Sequence, residues 1–257
     1  MTYFDAFILG LLQGLTEFLP VSSSGHLVIM GSILGVKEPG ITFEVILHLG
    51  SLLAVLIYFR DRICVLLKAI FDSSMKKERM MIVFIFVGTI PAIIAVLLFK
   101  DFFENAFSDP LMASCMLFVT GFILLSTRIK HNGTKDITLL SAIIIGIGQA
   151  FAIIPGISRS GTTISTGMLL GLKPSETAEY SFLLAVPAIL GAVVFKLDEL
   201  MRLDSAMMGH YGFGLVVTFL SSLFAVYAVL TLIKKGKFEY FAYYCFAAGA
   251  FGLYLFI

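Results

Sequence analysis

Long apolar stretches occupy most of the chain and predict helices that cross a membrane. One helical crossing of a bilayer takes about 20 consecutive apolar residues. Six stretches reach or approach this length without an internal break: 41–59, 80–99, 111–127, 180–197, 211–233 and 238–257. The pattern therefore indicates about six transmembrane helices.

Two further apolar stretches, at 3–34 and 137–172, are interrupted near their middle by polar, helix-breaking residues. The interruptions are PVSSSGH at 20–26 and PGISRSGTT at 155–163. Irregular backbone at membrane depth is stable only where protein or a water-filled cavity satisfies its polar groups. We therefore expect two re-entrant helix-loop-helix hairpins that line a cavity.

Composition supports an all-α integral membrane protein. The chain has 257 residues, of which 59% are hydrophobic and 14% charged, whereas soluble domains average about 45–50% apolar and about 25% charged residues. A net charge of +1 excludes a nucleic-acid binder that depends on counterion release. The first stretch carries Asp5 and lacks the basic segment and cleavage site of a signal peptide, so we expect it to remain in the mature protein.

The distribution of basic residues predicts the orientation of the spans. Loops at 60–79, 128–136 and 234–239 contain twelve of the eighteen lysines and arginines. The intervening loops, at 100–110 and 196–210, contain three basic and six acidic residues. Because cytoplasmic loops carry the excess of lysine and arginine, the first three loops are predicted inside and the other two outside.

The two interrupted stretches are related by a shift of 136 residues. Nine of 28 positions are identical between 10–37 and 146–173, and they include the Ser-x-Ser-Gly core of both breaks. Because the charge pattern places the two copies on opposite sides, we predict an inverted-topology repeat whose breaks meet near the midplane. The chain is then one transmembrane domain, with repeat A at about 1–127 and repeat B at about 137–257.

The ionisable residues inside the interrupted stretches suggest a binding site. Glu17 lies just before the first break and Arg159 lies within the second, so their side chains could approach one another. Intramembrane charges are costly and are usually paired and functional. Arginine offers a planar fork for phosphate, and the start of a helix attracts anions through its backbone N–H groups. The two breaks together predict a phosphate-binding site, with a purely structural ion pair as the alternative.

The first break also contains groups that could react with a phosphate. Ser23 is the favoured nucleophile, and His26 and Glu17 are expected to handle its proton, while direct attack by His26 or by activated water stays open. Gln13 and Glu17 lie one turn apart on the same helix face and could offer oxygen ligands to Mg²⁺ or Ca²⁺, with substrate phosphates completing the shell. His48, inside an apolar span, is left open between a structural and a functional role.

Other residues of the two breaks are predicted to bind the substrate phosphates. They share the ability to donate a hydroxyl or a backbone N–H group to a phosphate oxygen. These residues are Ser22, Ser24, Gly25, Ser158, Ser160, Gly161, Thr162 and Thr163.

At these positions the chain resembles the undecaprenyl-pyrophosphate phosphatase (UppP/BacA) family of bacteria, over essentially its full length. The first family signature, Glu or Gln followed after three residues by Glu, matches Gln13 and Glu17 and continues into FLPVSSSGH at 18–26. The second, Pro-Gly-x-Ser-Arg-Ser-x-x-Thr, matches 155–163. Gln13 replaces the Glu of many members, which weakens any scheme that needs two carboxylates.

The resemblance implies hydrolysis of a C55 polyprenyl diphosphate to the monophosphate, which recycles the lipid carrier of cell-wall synthesis and confers bacitracin resistance. It also implies a multi-pass protein of the bacterial cytoplasmic membrane whose active site faces outside. The expected partners are the polyprenyl diphosphate and membrane lipids, and a divalent cation is the expected cofactor. The oligomeric state is left open, with a homodimer as one option.

A transporter is the competing class of function. Inverted repeats with broken helices at the midplane are typical of alternating access, and the same anion site could carry a polyprenyl phosphate across the membrane. A nucleophile beside a base favours the enzyme. A purely structural membrane component is the third interpretation, and the polar residues of the breaks argue against it.

Overall fold

The computed structural model describes residues 1–35, 41–129, 133–195 and 207–257. The structure is 84% helical, and no strand occurs within these ranges. The described helices are α1 Tyr3–Phe18, α2 Ser23–Leu34, α3 Ile41–Tyr58, α4 Arg60–Phe71, α5 Lys76–Leu98, α6 Lys100–Ala106, α7 Pro110–Ser126, α8 Leu139–Phe151, α9 Arg159–Leu169, α10 Pro174–Phe195, α11 Met208–Lys234 and α12 Phe241–Phe256.

The long helices agree with the spans predicted from the apolar stretches. Helices α5, α7, α10 and α11 are long and apolar enough to cross a bilayer. Helices α3 and α4 pass the same test as one span, although the chain bends by 77° between them. Helix α12 coincides with the last predicted stretch but has 16 residues, slightly fewer than most single crossings need.

Most of the stretch 60–79, which was predicted as a loop, is helical. Residues Arg60–Phe71 form α4, and α5 already begins at Lys76. Apolar residues recur among the charges of α4 at a helical spacing, and Leu66 and Ala69 are buried. Two other predicted loops are described only in part, because Lys130 and the residues 196–206 lie outside the described ranges.

The outward faces of the long helices are apolar. Phe86 on α5, Phe122 on α7 and Phe224 on α11 lie near the middle of their helices, and each is more than 60% exposed. A continuous apolar surface of this kind is suited to lipid and unfavourable in water. The fold therefore confirms a helical, multi-pass membrane protein.

The two interrupted stretches form helical hairpins that pack against the long helices. Helix α1 packs along α11, and α8 packs along α5. Small residues allow the backbones to approach closely, as is common between membrane helices. The α2 and α9 arms of the hairpins both reach α7, which brings the two breaks together.

Gly14 gives a direct test of the α1–α11 packing. A methyl group on Gly14 would lie 1.9 Å from the Ser221 hydroxyl and 2.5 Å from the Thr218 carbonyl oxygen. We expect Gly14→Ala to lower the free energy of unfolding by about 1–3 kcal/mol, because the helix backbone must move to make room. A thermal unfolding curve in detergent measures the change.

Gly212→Ala is the matched control, because it lies on α11 with open space where a methyl group would go. We expect this variant to unfold at or slightly above the wild-type temperature, since alanine favours a helix over glycine. Equal destabilisation by both substitutions would contradict the close packing of α1 on α11.

Candidate active site

Both breaks lead into helices that begin with a serine cap. The Ser22 hydroxyl accepts the Gly25 N–H of α2 at 3.3 Å, and the Ser158 hydroxyl accepts the Gly161 N–H of α9 at 3.0 Å. Serine is a favoured residue at this position because its side chain satisfies a free N–H of the first turn. The starts of both helices, which carry partial positive charge, therefore lie at the breaks.

The breaks contact each other directly through small residues. The Ser22 hydroxyl also accepts the Gly156 N–H at 3.1 Å. A methyl group on Gly25 would lie 2.8 Å from the α-carbon of Gly156, so no larger residue fits between the two backbones. Gly156 itself has a φ of +95°, a conformation that favours glycine.

A threonine of α7 holds the backbone of the second break through two hydrogen bonds. Thr120 is fully buried, donates its hydroxyl to the Gly156 carbonyl at 2.7 Å and accepts the Ser158 N–H at 2.9 Å. The backbone that leads into Arg159 is therefore hydrogen-bonded on both sides. Sequence reasoning missed Thr120, because a threonine in an apolar helix gives no local signal of such a role.

Glu17 and Arg159 form an ion pair between the end of α1 and the start of α9. One carboxylate oxygen of Glu17 accepts from the Arg159 guanidinium. The other accepts from the Ser23 hydroxyl at 2.6 Å and from the Gln13 amide at 3.0 Å. The two charged side chains are only 6% and 15% exposed, so the pair is held by several hydrogen bonds within the protein.

A cavity of about 190 Å³ opens over this pair. Its apolar walls come from the second break, from α10 and from Phe107, which follows α6. Its polar lining is Glu17, Ser22, Ser23, Ser24, His48, Ser158 and Arg159. A serine hydroxyl, a carboxylate and a guanidinium therefore meet in one small cavity, and a guanidinium is well suited to bind a phosphate through paired hydrogen bonds.

His48 is a site residue that sequence reasoning left undecided. Its Nε2 lies 3.6 Å from a Glu17 carboxylate oxygen, and its Nδ1 lies 2.7 Å from the Glu44 carbonyl oxygen. An ionisable residue within a membrane span is a functional signal by itself. The same rule that selected Glu17 could therefore have selected His48.

His26 lies behind the first break instead of in the cavity. Its Nδ1 is 2.7 Å from the Ser22 carbonyl oxygen, and its Nε2 is 2.9 Å from the Tyr244 hydroxyl of α12. Among the described residues, no hydrogen bond connects the Ser23 hydroxyl to His26, so the structure gives no path for the expected proton transfer between them. The Ser23 hydroxyl donates to Glu17 instead.

The remaining predicted binding residues contact neighbouring segments of the protein. The Ser160 hydroxyl donates at 3.1 Å to the carbonyl of Leu19, which directly follows α1, and the Thr163 hydroxyl lies 2.6 Å from that of Ser181 on α10. Three other residues that were predicted to bind phosphate are not among the described residues that line the cavity. They are Gly25, Gly161 and Thr162.

Gln13 and Glu17 are the two residues predicted to bind a divalent cation, and the described residues add no further cluster of metal ligands. The described residues include no group of three His, Cys, Asp or Glu residues that could hold a metal ion. The Gln13 side-chain oxygen is buried without a hydrogen-bond partner among the described residues, whereas the amide nitrogen of the same side chain donates to the Glu17 carboxylate, which is already paired with Arg159. A cation that bound here would depend on substrate oxygens for most of its shell.

These features define a class: a helical, multi-pass membrane protein in which a buried serine and a buried arginine, each at the start of a helix, meet a buried carboxylate at the end of a third helix. Comparison with known proteins identifies the family. The family profile described as "Bacitracin resistance protein BacA" matches residues 6–251. The chain belongs to this family.

Curated relatives match over nearly the whole chain. An undecaprenyl-diphosphatase of Salinibacter ruber is 39% identical, over 99% of this chain and 100% of that protein. One of Carboxydothermus hydrogenoformans is 41% identical, over 97% and 95% of the two chains. One of Syntrophotalea carbinolica is 42% identical, over 97% of each chain.

The Glu17–Arg159 pair predicts a measurable coupling. Removing one partner leaves the other buried and unpaired, so Glu17→Gln and Arg159→Gln are each expected to cost about 3–5 kcal/mol of unfolding free energy. The double variant should cost clearly less than the sum, because neither charge is then left alone. Chemical unfolding in detergent measures all three.

Glu104→Gln is the control for this cycle, because Glu104 forms an exposed ion pair with Lys100 at 3.8 Å. Its effect should stay within about 0.5 kcal/mol. Additive effects of the two buried substitutions would contradict a direct interaction between Glu17 and Arg159.

Proposed function

We propose that this protein is an undecaprenyl-diphosphatase, which hydrolyses a polyprenyl diphosphate to the monophosphate and inorganic phosphate. The observation that carries the proposal is the contact of Ser23, Glu17 and Arg159 in one cavity, in a chain of the BacA family. The activity recycles the lipid carrier of cell-wall synthesis and gives bacitracin resistance. A transporter of the same lipid is not favoured, because the curated relatives are named as diphosphatases.

The geometry supports attack by Ser23 on the terminal phosphorus. The Ser23 hydroxyl is 2.6 Å from a Glu17 oxygen, which can accept its proton as the new oxygen–phosphorus bond forms. The bond from that phosphorus to the bridging oxygen breaks, and the polyprenyl monophosphate leaves with the bonding electrons. Water then hydrolyses the phosphoserine, which releases inorganic phosphate and restores the hydroxyl.

Arg159 is placed to stabilise the charge of the transferred phosphate. One of its terminal nitrogens is bound to Glu17, and the other makes only a long contact of 3.5 Å with the Ser181 carbonyl oxygen. N–H groups of the guanidinium therefore remain for substrate oxygens. Together with the partial positive charge at the starts of α2 and α9, they provide the electrostatic positioning on which phosphoryl transfer depends.

The proposed architecture is an inverted repeat with six crossings and two re-entrant hairpins. Its support is reciprocal packing, since α1 of repeat A lies on α11 and α8 of repeat B lies on α5. Methyl groups on Gly10 and Gly146 would lie 2.8 Å and 2.5 Å from the carbonyl oxygens of Gly214 and Gly88. Equivalent glycines of the two hairpins therefore meet a glycine on the opposite repeat.

We place the protein in the bacterial cytoplasmic membrane, with its cavity open to the outside. Phe107 lines the cavity and belongs to the loop that the charge pattern puts outside. The apolar outer faces also leave room for a homodimer, which a mass measurement in detergent would test.

Loss of the proposed nucleophile gives the first test. Ser23→Ala should lower the release of phosphate from undecaprenyl diphosphate by at least about a hundredfold, because no hydroxyl remains to attack. Colorimetric phosphate release in detergent micelles measures the rate. Ser126→Ala, on α7 and bonded only to a nearby carbonyl, should keep the wild-type rate. A folded Ser23→Ala protein with wild-type activity would contradict the assignment.

A divalent cation, Mg²⁺ or Ca²⁺, is proposed to enter with the diphosphate and to bind the oxygens of Gln13 and Glu17. It would add positive charge next to the phosphate oxygens. We expect a chelator to reduce phosphate release and added Mg²⁺ to restore it. Because the protein supplies only two donors, Gln13→Leu should raise the Mg²⁺ concentration needed for half-maximal activity. Full activity in excess chelator would contradict the cation.

A further inference from the structure

His26 has both of its ring nitrogens engaged away from the cavity. Its Nδ1 lies 2.7 Å from the Ser22 carbonyl oxygen, and a carbonyl can only accept, so Nδ1 carries the proton. Its Nε2 lies 2.9 Å from the Tyr244 hydroxyl, which donates to it in the neutral ring. The two rings are also nearly parallel, with centroids 5.6 Å apart and 12° between their planes.

The residue that His26 holds has an unusual backbone. Ser22 has a φ of +68°, and no other non-glycine residue of the described chain has a positive φ. Residues with a side chain rarely adopt this conformation unless their surroundings enforce it. Here the carbonyl of Ser22 accepts from the ring and from the backbone N–H of His26, at 2.7 Å and 3.2 Å. The peptide between Ser22 and Ser23 is thereby fixed.

This peptide sets the position of the proposed nucleophile. Ser23 follows it directly and places its hydroxyl 2.6 Å from Glu17. A rotation of the peptide would remove the Ser22 carbonyl from His26 and move Ser23 away from Glu17. Tyr244 belongs to α12, which packs along α7, so the constraint on the first break comes from a distant part of the chain.

We propose that Tyr244 and His26 are positioning residues, which hold Ser22 in its left-handed conformation and thereby keep the Ser23 hydroxyl against Glu17. His26 neither accepts nor donates a proton in the reaction itself. This inference rests on the proposed function, and it assigns to His26 a structural hydrogen bond where proton transfer was expected from the sequence.

The first test removes a single hydroxyl group. Tyr244→Phe should lower kcat by about two- to tenfold, the usual effect of one hydrogen bond. KM should stay unchanged, because Tyr244 does not line the cavity at the ion pair and phenylalanine keeps the aromatic ring that lines a neighbouring apolar cavity. Tyr254→Phe, on the same helix and 84% exposed, is the matched control and should keep the wild-type kcat. A wild-type kcat for Tyr244→Phe would overturn the role of Tyr244.

The second test separates positioning from proton transfer at His26. The side-chain amide of asparagine can donate a hydrogen bond to the Ser22 carbonyl, as Nδ1 of His26 does, but it cannot take up and release a proton in the reaction. Leucine can do neither. We expect His26→Asn to keep kcat within about tenfold of wild type with an unchanged shape of the pH–rate profile, and His26→Leu to lose more than the asparagine variant. Equal inactivity of both variants, or the loss of one limb of the profile in His26→Asn, would overturn the inference.

The Ser23→Ala variant separates this inference from the proposed function. If Ser23→Ala keeps its activity, the proposed site fails. If Ser23→Ala is inactive and His26→Asn is no better than His26→Leu, only the positioning role fails. Thermal unfolding of each variant identifies any loss of activity that comes from loss of the fold.

Discussion

The structure depends on an ion pair buried between two broken helices. A buried charge pair is stable only when its remaining hydrogen-bonding capacity is satisfied, because removal from water costs several kcal/mol per ion. Glu17 meets this condition through Arg159, Ser23 and Gln13, which come from both hairpins. The breaks must therefore lie in contact for either charge to be tolerated at membrane depth. The pair that joins the two breaks also places the proposed nucleophile, the proposed base and the proposed phosphate ligand side by side.

Contact between the breaks in turn depends on small residues, mainly glycines. Gly25 lies against Gly156, and Gly10 and Gly14 let α1 approach α11. A methyl group at Gly25 or Gly10 would lie 2.8 Å from the backbone of its neighbour, so a larger side chain would force the two segments apart. The glycines of the two breaks thus serve the site indirectly, by allowing Glu17 to reach Arg159.

Local patterns in the sequence were enough to predict most of the helices and both breaks. They were not enough to predict most contacts between distant residues, although the approach of Glu17 to Arg159 was expected. Apolar length gave α5, α7, α10 and α11, and it missed α4, whose apolar residues form two short runs interrupted by Lys68 after a charged start. Glu17 and Arg159 stood out because charges are rare in apolar stretches. The partner of His26 could not be found this way, because Tyr244 lies 218 residues away in a helix where a tyrosine is unremarkable in sequence.

The two breaks share one local structure and differ in their chemistry. Ser23 and Arg159 occupy equivalent positions, since each follows a serine cap and is the first residue of its helix. One position carries the proposed nucleophile, and the other carries the cation proposed to bind phosphate. The hairpins also differ at Glu17, whose equivalent in the second hairpin is Ile153, so the proposed base comes from the first hairpin alone. Both helix starts contribute to the same cavity. The proposed reaction therefore depends on the differences between the breaks, and the contact between the breaks depends on their similarity.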